Sequence, residues 1–182
     1  QVEHMVRAAE VFGITPIARV PNRDDATILQ FLDRGVQGVV VPHVNTREEA
    51  DAVARAARYY PDGHRGVGGG RAHDYGVGVS SAESTSWVNS QTLVIPMIEE
   101  TVAVENLDSI VAVKGVDILL VAPGDLGQSM GNPGAAAVQE VVRAVVPRIR
   151  TGGKLAGVGG SSLADIAGIA ALINLGATFI SI

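Results

Sequence analysis

The stretch that decides the fold is Leu93–Asp125, which reads LVIPMIEETVAVENLDSIVAVKGVDILLVAPGD. It contains two short apolar runs, at about 92–98 and 116–121, with a segment of helical patterning between them. Runs that are continuously apolar are typical of strands buried on both faces, as in parallel sheets. The stretch therefore predicts a strand–helix–strand unit, and a carboxylate follows each strand, first Glu99 and then Asp125.

The same alternation extends from this unit in both directions along the chain. Strands are expected at about 15–20, 37–41, 92–98, 116–121, 154–158 and 177–182, and helices at about 2–12, 25–34, 46–58, 101–112, 135–151 and 162–174. Six parallel strands with helices between them are compatible with an open doubly wound sheet or with most of an eight-stranded barrel. We interpret the whole chain, 1–182, as one α/β domain.

Two glycine-rich stretches, at about 59–90 and 122–134, are predicted to be irregular. A loop as long as the first is usually functional or mobile, and we place it near the mouth of the barrel. It does not match a nucleotide phosphate loop, but its Arg65 and Arg71 are candidates for contacting an anionic substrate or a neighbouring subunit. Its Trp87 is interpreted as either a lid or a buried anchor.

Two further local expectations concern single residues. His73, in the first glycine-rich stretch, is expected to be a solvent-exposed loop histidine. Pro147 is expected to kink the helix at 135–151 or to end it early, because proline removes a backbone donor and clashes with the preceding turn.

Composition excludes several classes of protein. Net charge is −5 and the Lys and Arg residues are scattered, so we expect no nucleic-acid partner, which would need a clustered basic surface. The absence of cysteine excludes disulfides and thiolate zinc sites. No apolar run approaches the roughly 20 residues of a membrane span, and no signal sequence is visible. We therefore expect no membrane partner and a cytoplasmic location.

Four polar residues stand at or just after the C-terminal ends of predicted strands: Arg19, His43, Glu99 and Asp125. In an α/β barrel those ends face one mouth, which holds the active site. Two carboxylates on one rim repel each other unless a cation lies between them, and Mg²⁺ or Mn²⁺ suits a site with few protein oxygens. We therefore expect Glu99 and Asp125 to be metal ligands; the alternative is that either residue only caps the next helix.

The other two residues each have a functional and a structural interpretation. Arg19 suits a substrate carboxylate or a developing enolate oxygen, or else forms a salt bridge across the mouth. His43 is a candidate base, acid or orienting donor, or else a satisfied structural histidine. Of the two lysines, Lys114 lies before a predicted strand and Lys154 opens one, so both lie at the wrong end of a barrel for a Schiff base.

Five motifs, in order along the chain, resemble the HpcH/HpaI aldolase family: Arg19-Val-Pro, Val41-Pro-His-Val-Asn-Thr, Arg65-Gly-Val-Gly, Ile98-Glu99 and Ala122-Pro-Gly-Asp-Leu126. That family includes the class II 2-keto-3-deoxy sugar-acid aldolases, 2,4-dihydroxyhept-2-ene-1,7-dioate aldolase and macrophomate synthase. No single motif is specific, but the ordered set is, and it runs through essentially the whole chain. The resemblance implies a modified TIM barrel of the phosphoenolpyruvate/pyruvate type, of which this chain covers strands three to eight.

The resemblance also implies a reaction and a site. Glu99 and Asp125 would hold a divalent metal, Mg²⁺ or Mn²⁺ with Co²⁺ as a further option, which pyruvate or its enolate would chelate. Arg19 would polarise the keto oxygen, and backbone amides around Gly124 and Asp125 would hold the pyruvate carboxylate. His43 matches the Pro-His-Val variant of macrophomate-synthase-like members. The implied reaction is class II aldol cleavage of a 4-hydroxy-2-oxo acid to pyruvate and an aldehyde, in a homo-oligomer such as a hexamer or trimer of dimers.

Two features of that family are not found in the sequence. A catalytic Asp–His pair on the loop after strand two would precede Gln1, and the final helix that subunits exchange is missing, so we expect a partial chain of a competent enzyme. Two alternatives stay open. One is a citrate-lyase-β or malyl-CoA-type lyase, which the acidic charge argues against mildly; the other is a non-catalytic barrel fragment.

Overall fold

The computed structural model of the chain describes residues 1–68, 70–78, 80–161 and 164–182. Its strands are β1 (Ile17–Arg19), β2 (Gly38–Val41), β3 (Leu93–Ile98), β4 (Ile118–Val121), β5 (Leu155–Val158) and β6 (Ala177–Ile180). Its α-helices are α1 (Val2–Val11), α2 (Asp25–Asp33), α3 (Arg47–Ala57), α4 (Ser81–Gln91), α5 (Thr101–Glu105), α6 (Leu107–Val111), α7 (Pro123–Ser129), α8 (Ala135–Thr151) and α9 (Ile166–Leu175). A 3-10 helix, Arg71–Gly76, precedes α4. All the strands that the apolar runs predict are present.

The strands form one parallel sheet in which each strand pairs with the next strand along the chain, in the order β1-β2-β3-β4-β5-β6. A doubly wound sheet reverses its strand order at a switch point, whereas a barrel adds each new strand on the same side. In the described residues the order never reverses. The fold is therefore a curled, all-parallel half-barrel of the TIM-barrel kind, and the doubly wound alternative is excluded.

Two apolar layers flank the sheet. The larger one lies between the strands and the helices and includes Val39, Val94 and Leu119. The smaller one, called here the inner-face cluster, consists of Val40, Ile95, Met97, Ile118, Leu120 and Ala122. Because side chains alternate between the two faces of a strand, Glu99, two residues beyond Met97, continues the inner-face series. The inner face of the half-barrel therefore ends in a carboxylate.

The glycine-rich stretches contain more regular structure than the sequence predicts. Within 59–90 the helix α4 begins with a capping box, in which Ser80 accepts from the backbone of Glu83 and the Glu83 side chain accepts from Ser80. Within 122–134 the helix α7 begins at Pro123, a residue whose fixed φ suits the first turn. The prediction that both stretches are irregular is wrong at these two helices.

Two predicted helices also differ from expectation. The segment at 101–112 forms two short helices, α5 and α6, which meet at Asn106. The side-chain Nδ2 of Asn106 donates to the backbone carbonyl of Asn45 at 2.9 Å. The helix α8 is not ended early by Pro147, because it continues to Thr151. None of the helices in the part of the chain that the structure describes is long and apolar enough to cross a membrane.

The two arginines of the glycine run around 63–71 lie at the edge of the sheet opposite the predicted mouth. Arg65 pairs with Asp33, the last residue of α2, at 2.7 Å, and Arg71 pairs with Glu10 near the end of α1. Both helices end where the following strands begin, at the N-terminal edge of the sheet. The expectation that the loop places Arg65 and Arg71 near the mouth is therefore wrong, although His64 reaches Asp25 at the start of α2 at 2.8 Å.

Candidate active site

The first four strands bring the four candidate residues to one edge of the sheet. Arg19 is the last residue of β1, His43 lies two residues after β2, Glu99 follows β3 directly, and Asp125 lies in the first turn of α7, just after β4. Because β1 to β4 are parallel neighbours, their C-terminal ends lie along the same edge. We call this edge the mouth, as the sequence predicted for a barrel.

Glu99 is the buried charge of the mouth, with only 2% of its side chain exposed. Its Oε1 accepts a hydrogen bond from the backbone N–H of His43 at 2.7 Å. Within the described ranges, no lysine or arginine forms an ion pair with it. A buried carboxylate is costly without compensating charge, so this position is suited to a bound cation.

His43 is held at its backbone and at its ring, although 65% of its side chain is exposed. Its φ is +56°, in the left-handed region that few non-glycine residues adopt. Its carbonyl accepts from the Arg23 guanidinium at 2.5 Å, and its Nδ1 lies 2.9 Å from a Glu100 carboxylate oxygen and 3.4 Å from Glu99. The hydrogen bond from His43, followed by one from Asn45, lowers the pKa of Glu100. The imidazole therefore faces the solvent from a fixed position.

The side chains of Arg19 and Asp125 are exposed and make no hydrogen bond or ion pair with any residue that the structure describes. Arg19 shares its face of β1 with Ile17, which packs against the inner-face cluster. Next to Asp125, a Cβ built on Gly124 would meet no atom within 4 Å, so the turn is open on that side. The structure thus brings His43 into contact with Glu99 and leaves Arg19 and Asp125 free along the same edge.

The donor set fits a hard divalent cation better than zinc. In the described part of the chain, no three His, Asp or Glu side chains come together as a ready-made metal cluster. Glu99 and Asp125 are two carboxylates at one edge, which matches Mg²⁺ or Mn²⁺ because these ions take few protein oxygens and complete their shell with water and substrate. Catalytic zinc would need three protein ligands.

Sequence reasoning missed two residues of the mouth, Glu100 and Arg23. Glu100 lies 57 positions from His43 in the sequence, and Arg23 lies 20 positions from it, so neither contact has a local pattern. The one available signal was that Glu100 follows Glu99 at the start of a helix. Glu100 is the N-cap residue of α5, but its side chain makes no capping hydrogen bond and is directed to His43 instead.

A cleft of about 850 Å³ lies at the other end of the sheet, between the 3-10 helix, α4 and the ends of α1 and α2. There, buried His73 bonds to Ser84 Oγ through Nδ1 and to the Tyr59 hydroxyl through Nε2, each at 2.6 Å. Burial first, and then the charge of Arg65, lower the pKa of His73. Both ring nitrogens are satisfied, so the cluster is structural, and the expectation of an exposed His73 is wrong. Trp87, on the rim, is 62% exposed and is not a buried anchor.

A curled parallel half-barrel with carboxylates, a guanidinium and an imidazole along its C-terminal edge defines a protein with a partial TIM-barrel-like fold and a candidate site at the mouth. The chain belongs to the HpcH/HpaI aldolase/citrate lyase family, whose profile matches residues 1–182. The family resemblance seen in the five sequence motifs is therefore confirmed.

Several similar proteins are named aldolases. The chain is 40% identical over 145 residues to the 4-hydroxy-2-oxovalerate aldolase of Novosphingobium aromaticivorans, covering 78% of this chain and 54% of that protein. It is 35% identical over 166 residues to the 2-keto-3-deoxy-L-rhamnonate aldolase of Salmonella schwarzengrund, covering 85% and 58%. The crystal structure of an HpcH/HpaI aldolase from Desulfitobacterium hafniense DCB-2 superposes with a TM-score of 0.88 at 30% identity, covering 99% of this chain and 70% of that one. The chain spans about half the length of the curated relatives it matches.

Proposed function

We propose that the mouth belongs to a class II aldolase that cleaves a 4-hydroxy-2-oxo acid to pyruvate and an aldehyde. The observation that carries this proposal is Glu99, a carboxylate with 2% of its side chain exposed and no cationic Lys or Arg partner in the described residues. The aldolase names of the relatives support it. In this proposal the strands correspond to strands three to eight of a TIM barrel, and the working protein is a homo-oligomer.

Glu99 and Asp125 would hold the divalent metal, which we propose to be Mg²⁺ or Mn²⁺, with Co²⁺ as a further option. When bound, the metal supplies Lewis-acid polarisation of the keto and carboxylate oxygens of the 2-oxo acid. The Oε2 atom of Glu99 accepts no hydrogen bond from a described residue, which leaves it available as a ligand. Asp125 is likewise free of partners there, so neither carboxylate has to break an existing bond.

The remaining groups act on the substrate directly. Arg19 presents a rigid fork of donors towards the keto oxygen and stabilises the negative charge that develops on it during cleavage. The backbone amides of Gly124 and Asp125 bind the substrate carboxylate, for which the open side of Gly124 leaves room. His43, exposed at the same edge, moves a proton to or from the substrate.

The lysines favour this mechanism over a Schiff-base one. Lys154 has its pKa lowered, mainly by burial, which is a property that a Schiff-base lysine needs. However, its Nζ donates to the carbonyls of Val113 and Val116, each at 2.8 Å, just before β4. Lys114, the other lysine of the sequence, precedes the same strand. Both therefore lie at the edge of the sheet opposite the mouth.

The test is exchange of the pyruvate methyl protons with deuterium, followed by NMR, because exchange reports formation of the enolate without any aldehyde. It is measured with Mg²⁺, with Mn²⁺ and with EDTA, on this chain and on a chain extended upstream of Gln1. We expect metal-dependent exchange that is abolished in Glu99→Ala and in Asp125→Ala. The matched controls are Glu105→Ala and Asp51→Ala, which remove exposed acids from the helices α5 and α3.

The outcomes separate the alternatives. Exchange only in the extended chain supports the chemistry and means that residues upstream of Gln1 contribute to it. Absence of exchange in both chains with every metal contradicts the pyruvate aldolase, and cleavage of an acyl-CoA substrate would then identify the citrate-lyase-type alternative. Inactivity towards both substrate classes would leave the non-catalytic fragment.

A further inference from the structure

The two turns that carry Glu99 and Asp125 separate where the sheet ends. In the parallel pair β3–β4, Ile98 is the partner of Val121, and the N–H of Ala122 donates to the carbonyl of Ile98 at 3.1 Å. After that bond the chain leaves β3 through Glu99 towards α5, and it leaves β4 into α7, the helix that holds Asp125. The placement of the two carboxylates therefore depends on how α5 and α7 are held against each other.

A contact between Thr101 and Ser129 joins these two helices. The backbone N–H of Thr101, the first residue of α5, donates at 3.0 Å to the Oγ of Ser129, the last residue of α7, and the two hydroxyl oxygens lie 3.4 Å apart. Within the described ranges no other hydrogen bond joins α5 to α7. The first N–H groups of a helix have no partner inside the helix, and the side chain of Glu100, the N-cap residue, does not supply one. Ser129 therefore caps α5 from a neighbouring helix.

The same contact sets which face of α7 is turned towards Glu99. Ser129 follows Asp125 by four residues, and residues four apart lie on one face of an α-helix, about one turn from each other. Because Ser129 bonds to Thr101, two residues after Glu99, the face that carries Asp125 is directed to the chain that leaves β3. A rotation of α7 about its axis would carry both residues away together.

Packing anchors α7 on another side. Leu126 is fully buried in the core, and Gly127 lies so close to α8 that an added Cβ would come within 3.1 Å of Val138 Cγ2. These contacts hold α7 against α8. Ser129, in contrast, is exposed, so removing its hydroxyl opens no cavity in the core and acts through the hydrogen bond with Thr101.

We propose that Ser129 is a positioning residue that sets Asp125 against Glu99 for binding one divalent cation. This rests on the proposed function, in which these two carboxylates hold Mg²⁺ or Mn²⁺. A hard divalent cation needs its oxygen ligands at short and well-defined distances, so loss of the link between the two turns weakens the affinity for the metal. Ser129 itself touches neither metal nor substrate, and its effect passes through the N–H of Thr101.

The first readout is the affinity for Mn²⁺, measured from the EPR signal of the free ion, which needs no enzymatic activity. We expect Ser129→Ala to raise the Kd by about 3–10-fold, the change that the loss of one hydrogen bond produces. Ser129→Thr retains the hydroxyl and should bind Mn²⁺ as the parent does. Ser109→Ala is the matched control, because the Ser109 hydroxyl bonds to the carbonyl of Asn106, three residues before it. An unchanged Kd in Ser129→Ala overturns the proposal.

A second pair of variants tests the donor of the bond. Thr101→Pro removes the N–H at the first helical position, where proline is well tolerated, and Glu100 already has the extended conformation that suits a residue before proline. It should raise the Kd as Ser129→Ala does, whereas Thr101→Ala, which keeps the N–H, should not. In the Thr101→Pro background, Ser129→Ala should have no further effect, because both changes remove the same bond. Additive increases in Kd would overturn the proposed link.

The outcomes also separate this proposal from the proposed function. If Glu99→Ala and Asp125→Ala lose Mn²⁺ but Ser129→Ala binds it as the parent does, the positioning role is overturned while the metal site stands. If the parent binds no Mn²⁺, the metal site is contradicted and both proposals fall. Pyruvate exchange gives a last check, because at saturating Mn²⁺ the rate of Ser129→Ala should return to that of the parent. A loss that persists there means that Ser129 does not act through metal affinity, which also overturns its role.

Discussion

The two edges of the half-barrel differ in whether their charged side chains have ion-pair and hydrogen-bond partners. At the edge where the strands begin, buried Arg58 donates to the Asp117 carboxylate at 2.8 Å, to the carbonyl of Asn89 and to that of Gly115. Lys154, nearby, donates to two backbone carbonyls. These cations are enclosed and bonded, as buried polar groups in folded proteins generally are.

At the mouth, three charged side chains lack such partners. Arg19 and Asp125 have none among the described residues, and Glu99 is buried with one hydrogen bond and no arginine or lysine beside it. The chain thus leaves three charged side chains without such partners at the mouth. This difference supports the proposal that one edge serves stability and the other a ligand, as the two ends of TIM barrels do.

The largest effect is expected from removing the buried charge of the mouth. Glu99→Gln should lower pyruvate exchange by on the order of 10³-fold, because a preorganised charge at the reacting centre contributes several kcal/mol. Its free energy of unfolding without metal should not fall, since glutamine retains the hydrogen bond to the backbone of His43 and removes a buried charge that has no lysine or arginine partner. Exchange rates and urea unfolding check the two parts, with Glu105→Gln as the control. If Glu99→Gln retained pyruvate exchange, the unpaired carboxylate at the mouth would have no role in the reaction, and the proposed functional difference between the two edges would be wrong.

The next effect belongs to the opposite edge. Arg58→Met should lower the free energy of unfolding by about 2–3 kcal/mol, because it leaves the half-buried Asp117 carboxylate without its cation and the carbonyls of Asn89 and Gly115 without their donor. Activity per folded molecule should stay close to that of the parent. Urea unfolding measures the loss, and Arg143→Met, which breaks the exposed pair with Glu140, should show almost none. Similar stabilities for the two variants would argue against a structural role for the buried pair.

The smallest effect is a pH dependence at the opposite edge. Burial, followed by Arg65, lowers the pKa of His73, so the folded protein favours the neutral ring. The stability that the neutral His73 ring contributes is complete above about pH 6.5, the pKa of histidine in the unfolded chain. It is lost as the pH falls through the lower pKa that His73 has in the folded protein. We expect the Tm to fall on acidification and the slope to be smaller in His73→Gln than in His64→Gln, the control at an exposed histidine. Equal slopes would exclude His73 as the cause.

The strands could be predicted because their signal is local. A continuous apolar run such as Leu93–Ile98 reflects burial on both faces wherever the strand lies, and the structure has the strand at that position. The helix α4 was missed because its serine- and asparagine-rich sequence has little apolar face; it buries Ser84, Val88 and Asn89. The capping box from Ser80 to Glu83 was the local sign that could have revealed it.

Part of the candidate site could also be predicted from the sequence. Arg19, Glu99 and Asp125 could be placed on one edge from sequence, because parallel strands bring their C-terminal ends together. Their proposed roles stay predictions until the exchange experiment is made. The contact between His43 and Glu100 could not be foreseen, since it depends on how the turns after two neighbouring strands fold over the sheet edge.

The sequence by itself determined the alternation of strands and helices, the family, and the polar residues at the strand ends, because each follows from periodicity or from a short motif. Only the tertiary structure shows that Arg65 and Arg71 lie at the edge opposite the mouth, that His73 is buried, and that Glu100, 57 positions away in the chain, bonds to the ring of His43. These features join residues that are far apart in the chain. They depend on strand order and side-chain packing, which no local pattern of residues encodes.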